Sequence, residues 1–308
     1  MADNKVLIVG TMAFDEVETP SGSSGKTIAG SATYIALATS FFDVESAIVS
    51  IVGRDFPQDY LKKLSNRNIN LEGVEIDNSG DTFYWKGRYH KNLNRRDTLV
   101  TDLNTLANFN PIVPDRFKDA EVALLGNLHP RIQLSVLDQI NPDKTTIILD
   151  TMNYWIEGTW DELVQVVAKT DVITINDEEA LQMTNATNVL SAAKKISNMG
   201  PSYVIIKKGE HGALLYHNEQ TFLAPAVVLD NVVDPTGAGD SFAGGLAGFL
   251  ASQPKHDFET MKTAMVYGSS VASFCVTDFG TKSIVNTTIS QITERVEDLK
   301  TLVRFEVN

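Results

Sequence analysis

The sequence predicts an α/β protein, with three α/β/α layers around a mostly parallel central sheet and a small β-sheet beside them. Three observations predict it. Short apolar runs recur along the chain, each followed by a stretch with helical spacing. The runs are nearly continuous rather than alternating, as strands buried on both faces must be. One segment, residues 81–101, breaks the pattern with aromatic residues in extended alternation.

The first strand is Lys5–Val9, ended by Gly10. Phe14–Thr19 is a short extended stretch stopped by Pro20, which cannot donate to a ladder. Residues 21–25, Ser-Gly-Ser-Ser-Gly, are small enough for a turn or mobile loop. From Ser31 to Phe42 the apolar residues recur on one helical face. A buried strand follows at Ala47–Val52, closed by Gly53, then a polar helical stretch, Asp59–Asn66, and an extended piece at Val74–Ile76. Asp81–Thr101 carries Phe83, Tyr84, Trp85 and Tyr89, then Asn92 to Asp97. Aromatic groups against polar ones describe an antiparallel ribbon covered on one side by a substrate, a partner subunit or both. Strands then alternate with helices: Val122–Leu125, Thr146–Leu149, Val172–Ile175, Tyr203–Ile206 and Ala213–Tyr216, with helices at Ile132–Ile140, Trp160–Ala168, Glu178–Met183 and Val189–Met199. No repeat or Pro-rich linker divides the chain, so one domain over residues 1–308 is the economical organisation.

Composition narrows the function. Basic residues number 26 and acidic ones 39, giving a net charge of −13. Such a chain repels a phosphodiester backbone, so no nucleic-acid partner is expected. Cys275 is the lone cysteine, which excludes a disulfide framework and a Cys-based zinc site. The five histidines lack metal-ligand spacing. Neither a signal-peptide pattern nor an apolar run of membrane-spanning length is present. A cytoplasmic protein without membrane contact is expected.

In a parallel sheet, ligands bind beyond the carboxyl ends of the strands. Asp150, Asn176 and Gly209 fall there. The strongest signal is the string from Asp234 to Gly245, D-P-T-G-A-G-D-S-F-A-G-G. Pro235 starts a turn, Gly237 and Gly239 allow close backbone approach, and Phe242–Leu250 continues as a helix. A helix N-terminus offers unsatisfied N–H groups to a phosphate. Asp240 at that start has two readings: a helix-capping aspartate, or a base that takes a proton from a hydroxyl attacking phosphorus. Capping explains the position but not the glycines before it. No Walker A sequence is present.

That string resembles the second signature of the ribokinase (PfkB) family of carbohydrate and nucleoside kinases, and the likeness runs through most of the chain. Gly10–Asp15 is similar to the family's first strand and its substrate-contacting aspartate. Ala29-Gly30-Ser31-Ala32 stands at the Gly-Gly signature, and Ile51–Asp55 resembles the V-G-x-D turn. Asn176–Glu179 matches N-x-x-E, and Lys208-Gly209-Glu210-His211-Gly212 resembles the nucleotide-side glycine segment. The resemblance implies a ribokinase-like domain with a β lid formed from about 11–28 and 80–102, which in several members also makes a homodimer. It implies ATP as phosphoryl donor, Asp240 as catalytic base, and Gly237, Ala238 and Gly239 as the anion hole. It places Asp15, Gly30, Ser31, Asn94, Arg96 and Asn153 on the acceptor, and Asn176, Lys208, Gly209, Gly212 and Thr236 on the nucleotide. Glu179 is implied to hold Mg²⁺ through water. Asp234 and Cys275, opening the late loop 275–280, are implied near a monovalent cation such as K⁺. The departures are Ala29 for the first glycine, and Ala13 and Thr33-Tyr34 where ribokinases carry sugar-binding asparagines.

Each residue also has a plainer reading. Asp15 caps a turn or binds hydroxyls, whose donors a carboxylate accepts in pairs. Asn176 and Glu179 make a helix cap. Arg95 and Arg96 are solvated surface or grip an anion. Phe83, Tyr84 and Trp85 are core, interface or base-stacking groups, and Lys207 and Lys208 are exposed lysines or neutralise phosphate. The expected activity is an ATP-dependent carbohydrate kinase acting on a hydroxyl of a small sugar or polyol. A nucleoside kinase of adenosine type is the alternative, and a non-catalytic ligand-binding protein the contrasting class.

Overall fold

The computed structural model describes residues 4–306. In chain order its strands are β1 (Lys5–Val9), β2 (Ala13–Thr19), β3 (Gly22–Ala29), β4 (Glu45–Gly53), β5 (Ile69–Asp77), β6 (Tyr84–Tyr89), β7 (Arg96–Asp102), β8 (Val122–Leu125), β9 (Thr146–Asp150), β10 (Val172–Asn176), β11 (Tyr203–Lys207), β12 (Ala213–His217) and β13 (Gln220–Ala224). Its helices are α1 (Ser31–Thr39), α2 (Gln58–Ser65), α3 (Pro130–Leu137), α4 (Asn153–Gly158), α5 (Trp160–Ala168), α6 (Asp177–Thr184), α7 (Val189–Ser197), α8 (Ala238–Ala251), α9 (Phe258–Cys275), α10 (Lys282–Asn286) and α11 (Ile289–Leu302).

Nine strands form the central sheet in the order β13-β12-β11-β10-β9-β8-β1-β4-β5. From β5 to β11 every pairing is parallel; β12 and β13 return antiparallel at one edge. Successive side chains leave a strand on opposite faces. Val6 and Ile8 of β1 therefore join a core with Ile35, Leu246 and Met265 of α1, α8 and α9. Leu7 and Val9 join a second core with Val136, Leu163 and Ile196 of α3, α5 and α7. Two cores on the two faces of one sheet make the three layers.

The second sheet is four-stranded, in the order β3-β2-β6-β7. The segment expected as a turn or loop at 21–25 is mostly strand, because β3 pairs with β2 from Thr19↔Gly22 to Ala13↔Ala29. Pairing overrides the weak strand propensity of its small residues. Its Ser24 hydroxyl also accepts from the Val17 amide at 2.8 Å, where the β2–β3 register shifts. The aromatic ribbon pairs as β6 and β7 from Tyr84↔Asp102 to Tyr89↔Arg96. No helix among the described residues is long and apolar enough to cross a membrane.

Candidate active site

Three neighbouring strands of the central sheet deliver polar side chains to its carboxyl edge. Asn176 ends β10 in register with Lys207, which ends β11. Asp150 ends β9 and pairs with Thr174 of β10. The Lys207 ammonium lies 2.5 Å from Asp150 Oδ2, and the Thr174 hydroxyl donates to the same oxygen at 2.8 Å. Asn176 caps α6: its Oδ1 accepts from the Glu179 amide at 2.7 Å, and Glu179 Oε2 accepts from the Asn176 amide at 3.1 Å. The capping reading of these two residues is therefore realised, and Glu179 is buried beside the row.

The loop before α8 meets this row. Gly237 is the N-cap of α8, with φ +78°, a conformation glycine adopts without a Cβ penalty. The Gly239 and Asp240 amides meet no backbone acceptor among the described residues, as the first turn of a helix requires. Asp240 therefore stands inside that first turn rather than before the helix. A Cβ at residue 239 would stand 3.1 Å from Lys207 Nζ, so the lysine lies against the loop. Asp234 is buried and ties the loop down, accepting from the Thr236 amide at 2.9 Å and the Gly280 amide at 3.5 Å. Cys275 closes α9 rather than opening a loop; it is buried, its thiol 3.5 Å from the Thr236 carbonyl.

The small sheet supplies the opposite wall. Asp15 of β2 is buried and in register with Trp85 of β6. Tyr89, at the end of β6, reaches the Thr236 hydroxyl at 3.3 Å. Arg96, its partner on β7, donates to Tyr89, and its guanidinium lies 5.7 Å from the Trp85 ring centroid. His90, Lys91, Asn92, Arg95, Arg96 and Asp97 line an open depression of about 700 Å³ at this hairpin, where Lys91, Arg95 and Arg96 face the single carboxylate of Asp97.

Charge is concentrated where the walls meet. Burial, with Asp234 and Asp240 nearby, pushes the Asp15 carboxyl up to about 8, against the pull of Arg96. Burial and then Asp150 push Asp240 up to about 7, while Lys207 and Arg96 pull it down. Burial raises Glu179 to about 7, with Lys207 opposing. Burial pulls Lys207 down, but Asp150, Glu179 and Asp240 outweigh it and hold the ammonium above its usual value. A carboxyl that titrates near neutrality beside Lys207, Arg96 and the open Gly239 amide can accept a proton while an anion binds alongside.

Of the residues singled out from the sequence, Asp15, Arg96, Glu179, Asp234 and Asp240 come together. Gly30 sits at φ +97° as the N-cap of α1, where a Cβ would meet the Thr11 carbonyl at 2.4 Å. Ser31 is buried, its hydroxyl accepting from the Thr11 amide at 3.0 Å. Asn94 stands at the hairpin tip, where a Cβ at Gly209 would approach its Oδ1 to 3.3 Å. Lys208 donates its amide to the Gly212 carbonyl at 2.8 Å, closing the turn that holds Gly209. Asn153 opens α4, exposed to solvent. The expectation of an exposed Lys207 is corrected: its side chain is 17% exposed because Asp150 holds it inward. Asp150 was read only as a strand-end candidate, and Tyr89 only as part of a ribbon. The signal for Lys207 was its place as the last residue of an apolar strand beside Asn176.

Comparison with known proteins gives the family. The model of the pfkB family of carbohydrate kinases matches residues 4–288. A cytidine kinase from Thermococcus kodakarensis is 28% identical over 81% of this chain and 90% of its own. A nucleoside kinase from Methanothermobacter thermautotrophicus is 26% identical over 91% and 92%. The crystal structure of a nucleoside kinase from Methanocaldococcus jannaschii, 21% identical, superposes with a TM-score of 0.78 over 96% of this chain and 98% of its own.

Proposed function

Because the chain belongs to the pfkB carbohydrate kinase family and is thus an ATP-dependent phosphotransferase, we propose that its acceptor is a nucleoside, phosphorylated on its primary hydroxyl. The observation that carries this reading is similarity along most of the chain to a cytidine kinase and a nucleoside kinase. The site is compatible with it. Asp15 offers a carboxyl group whose two oxygens can meet two ribose hydroxyls, one as acceptor and one as donor while it holds its proton. Trp85, on the same strand face as Asp15, offers an indole against which a base can stack. A free sugar or polyol is the second reading, favoured by the same carboxylate, since Asp15 would hold its hydroxyls equally well.

In this reading Asp240 takes the proton of the attacking hydroxyl. The turn of Gly237, Ala238 and Gly239 holds the transferring phosphoryl group through the Gly239 amide, while the Ala238 amide donates to the Pro235 carbonyl at 3.2 Å and shapes the turn. Lys208, Gly209, Gly212 and Thr236 frame the nucleotide, and Asn176 and Glu179 the phosphate end. The raised Glu179 and Asp240 carboxyls, with Asp150 paired to Lys207, fit a divalent cation arriving with the triphosphate. Among the described residues no cluster of three metal-ligating side chains exists. Magnesium would accordingly be held by phosphate oxygens and water, with Glu179 orienting the water, and would supply charge neutralisation. The loop of Asp234 beside Cys275 is the proposed place of a potassium ion, and the small sheet the proposed lid and homodimer surface. Gly30 and Ser31 then shape the acceptor floor, Asn94 and Arg96 reach in from the lid, and Asn153 lies at its rim.

The deciding experiment is ADP release with a panel of nucleosides and free sugars. Turnover is expected with nucleosides, cytidine among them. Turnover confined to free sugars would replace the reading with its second form; binding without ADP release would leave a ligand-binding protein.

A further inference from the structure

Lys207 is an unusual place for a lysine: the last residue of a strand whose other positions are apolar, with its ammonium drawn inward. An ion pair of this burial is not a source of stability in itself, because desolvation offsets the attraction. Its geometry is also incomplete as a purely structural bond. An ammonium carries three donors, and among the described residues Asp150 is the one side chain that accepts from it. The remaining donors face the loop at Gly239, with the ammonium 3.1 Å from where a Cβ there would stand. Asp150 in turn is fixed by the Thr174 hydroxyl. The lysine is thus held by a braced carboxylate against the loop, beside Gly239, whose amide meets no backbone acceptor among the described residues.

Resting on the kinase reading above, we infer that Lys207 is a catalytic residue, its ammonium binding a non-bridging oxygen of the phosphoryl group in flight while Asp150 acts as the positioning residue that aims it. The acceptor oxygen forms its bond to the terminal phosphorus of a nucleoside triphosphate as the bond to the bridging oxygen breaks. The hydroxyl proton passes to Asp240, the nucleoside diphosphate leaves with the bridging electron pair, and Lys207 keeps its protons. Negative charge that spreads over the transferring oxygens then meets a fixed cation held apart from the base. Arg96 reaches the same space from the small sheet, so Lys207 is the cation that stays in place whatever that sheet does.

The test compares Lys207→Met and Lys207→Arg with the unchanged protein, using an acceptor the unchanged protein phosphorylates, and measures kcat together with ADP affinity by calorimetry. Lys207→Met is expected to lower kcat by about 100-fold while ADP affinity changes by less than about threefold, and Lys207→Arg to recover part of the loss. The double variant Lys207→Met, Asp150→Asn removes the unpaired carboxylate and serves if the single variant does not fold; the same loss of kcat with ADP binding retained is expected. Turnover within about threefold of the unchanged protein would overturn the inference. So would a fall in ADP affinity parallel to kcat, which describes a structural pillar of the site. Absence of turnover by the unchanged protein with every nucleoside and sugar would instead overturn the kinase reading, and this inference with it.

Discussion

The ring of Tyr34 fills the space that a side chain at residue 237 would need. A Cβ built there would stand 2.6 Å from three carbons of the ring, and Tyr34 is buried. The first helix of the large domain is thus the floor of the loop before α8. Gly237→Ala must pay twice, in the clash and in its φ of +78°. It is expected to cost about 1–3 kcal/mol of stability by overpacking, read from denaturant melts, with a larger fall in kcat than in folding yield. Tyr34→Ala should destabilise by roughly 3–5 kcal/mol. Tyr34→Phe should cost nothing, because its hydroxyl has no partner among the described residues.

Asp240→Asn preserves shape and removes the base. Nucleotide affinity should hold while kcat falls by about 10²–10⁴-fold. Isothermal titration with an ATP analogue and steady-state ADP release measure the two quantities. Turnover near that of the unchanged protein would remove Asp240 from the chemistry.

The pH dependence follows from the same carboxyl. With Asp240 raised to about 7, kcat/KM should decline as pH falls through neutrality, since the protonated form cannot accept the hydroxyl proton. Asp15 and Asp240 act on each other, so the limb belongs to the pair. Arg96 pulls both groups down, so Arg96→Met should move the limb to higher pH. A pH–rate profile unchanged by this substitution would separate Arg96 from the site.

Burial, with Asp234 and Asp240 nearby, pushes the Asp15 carboxyl up to about 8, far above the 3.8 of a free aspartate. Between those values the folded protein holds a proton that the unfolded chain releases, so this group's contribution to stability declines as pH rises through that window. Asp15→Asn should therefore raise the melting temperature at pH above about 8, by the equivalent of roughly 0.5–2 kcal/mol, while weakening acceptor binding. A lower melting temperature there would show that the carboxylate is better satisfied than its burial indicates.

The parallel sheet was legible because apolar strands of five or so residues leave little else to fit, and Trp160–Ala168 was placed to the residue. The strand β3 was not, since glycine and serine pair there through the neighbour they meet rather than through their own preference. The helix α9 was passed over because its apolar residues are spread around much of its circumference: it packs against α8 on one side and α11 on the other, leaving no single stripe. Within the site, the glycine loop and Asp240 were visible as a string. Asp150 was visible only as a strand-end candidate and Lys207 only as an exposed or phosphate-neutralising lysine, because their pairing lies in a 2.5 Å contact between residues 57 apart in sequence. Asn176 and Glu179 looked like a cap and form one; the row of side chains beside them is a property of register.

The hydroxyl of Tyr89 touches Thr236 at 3.3 Å, and Arg96 leans on Tyr89. The two cations near Asp240 therefore arrive from different sheets, Lys207 from the large and Arg96 from the small. Lifting the small sheet would withdraw one of them and leave the other. On the proposed kinase reading, a water molecule entering such an opened cleft would meet a half-assembled charge field, and idle hydrolysis of the triphosphate would be disfavoured until the second cation returned.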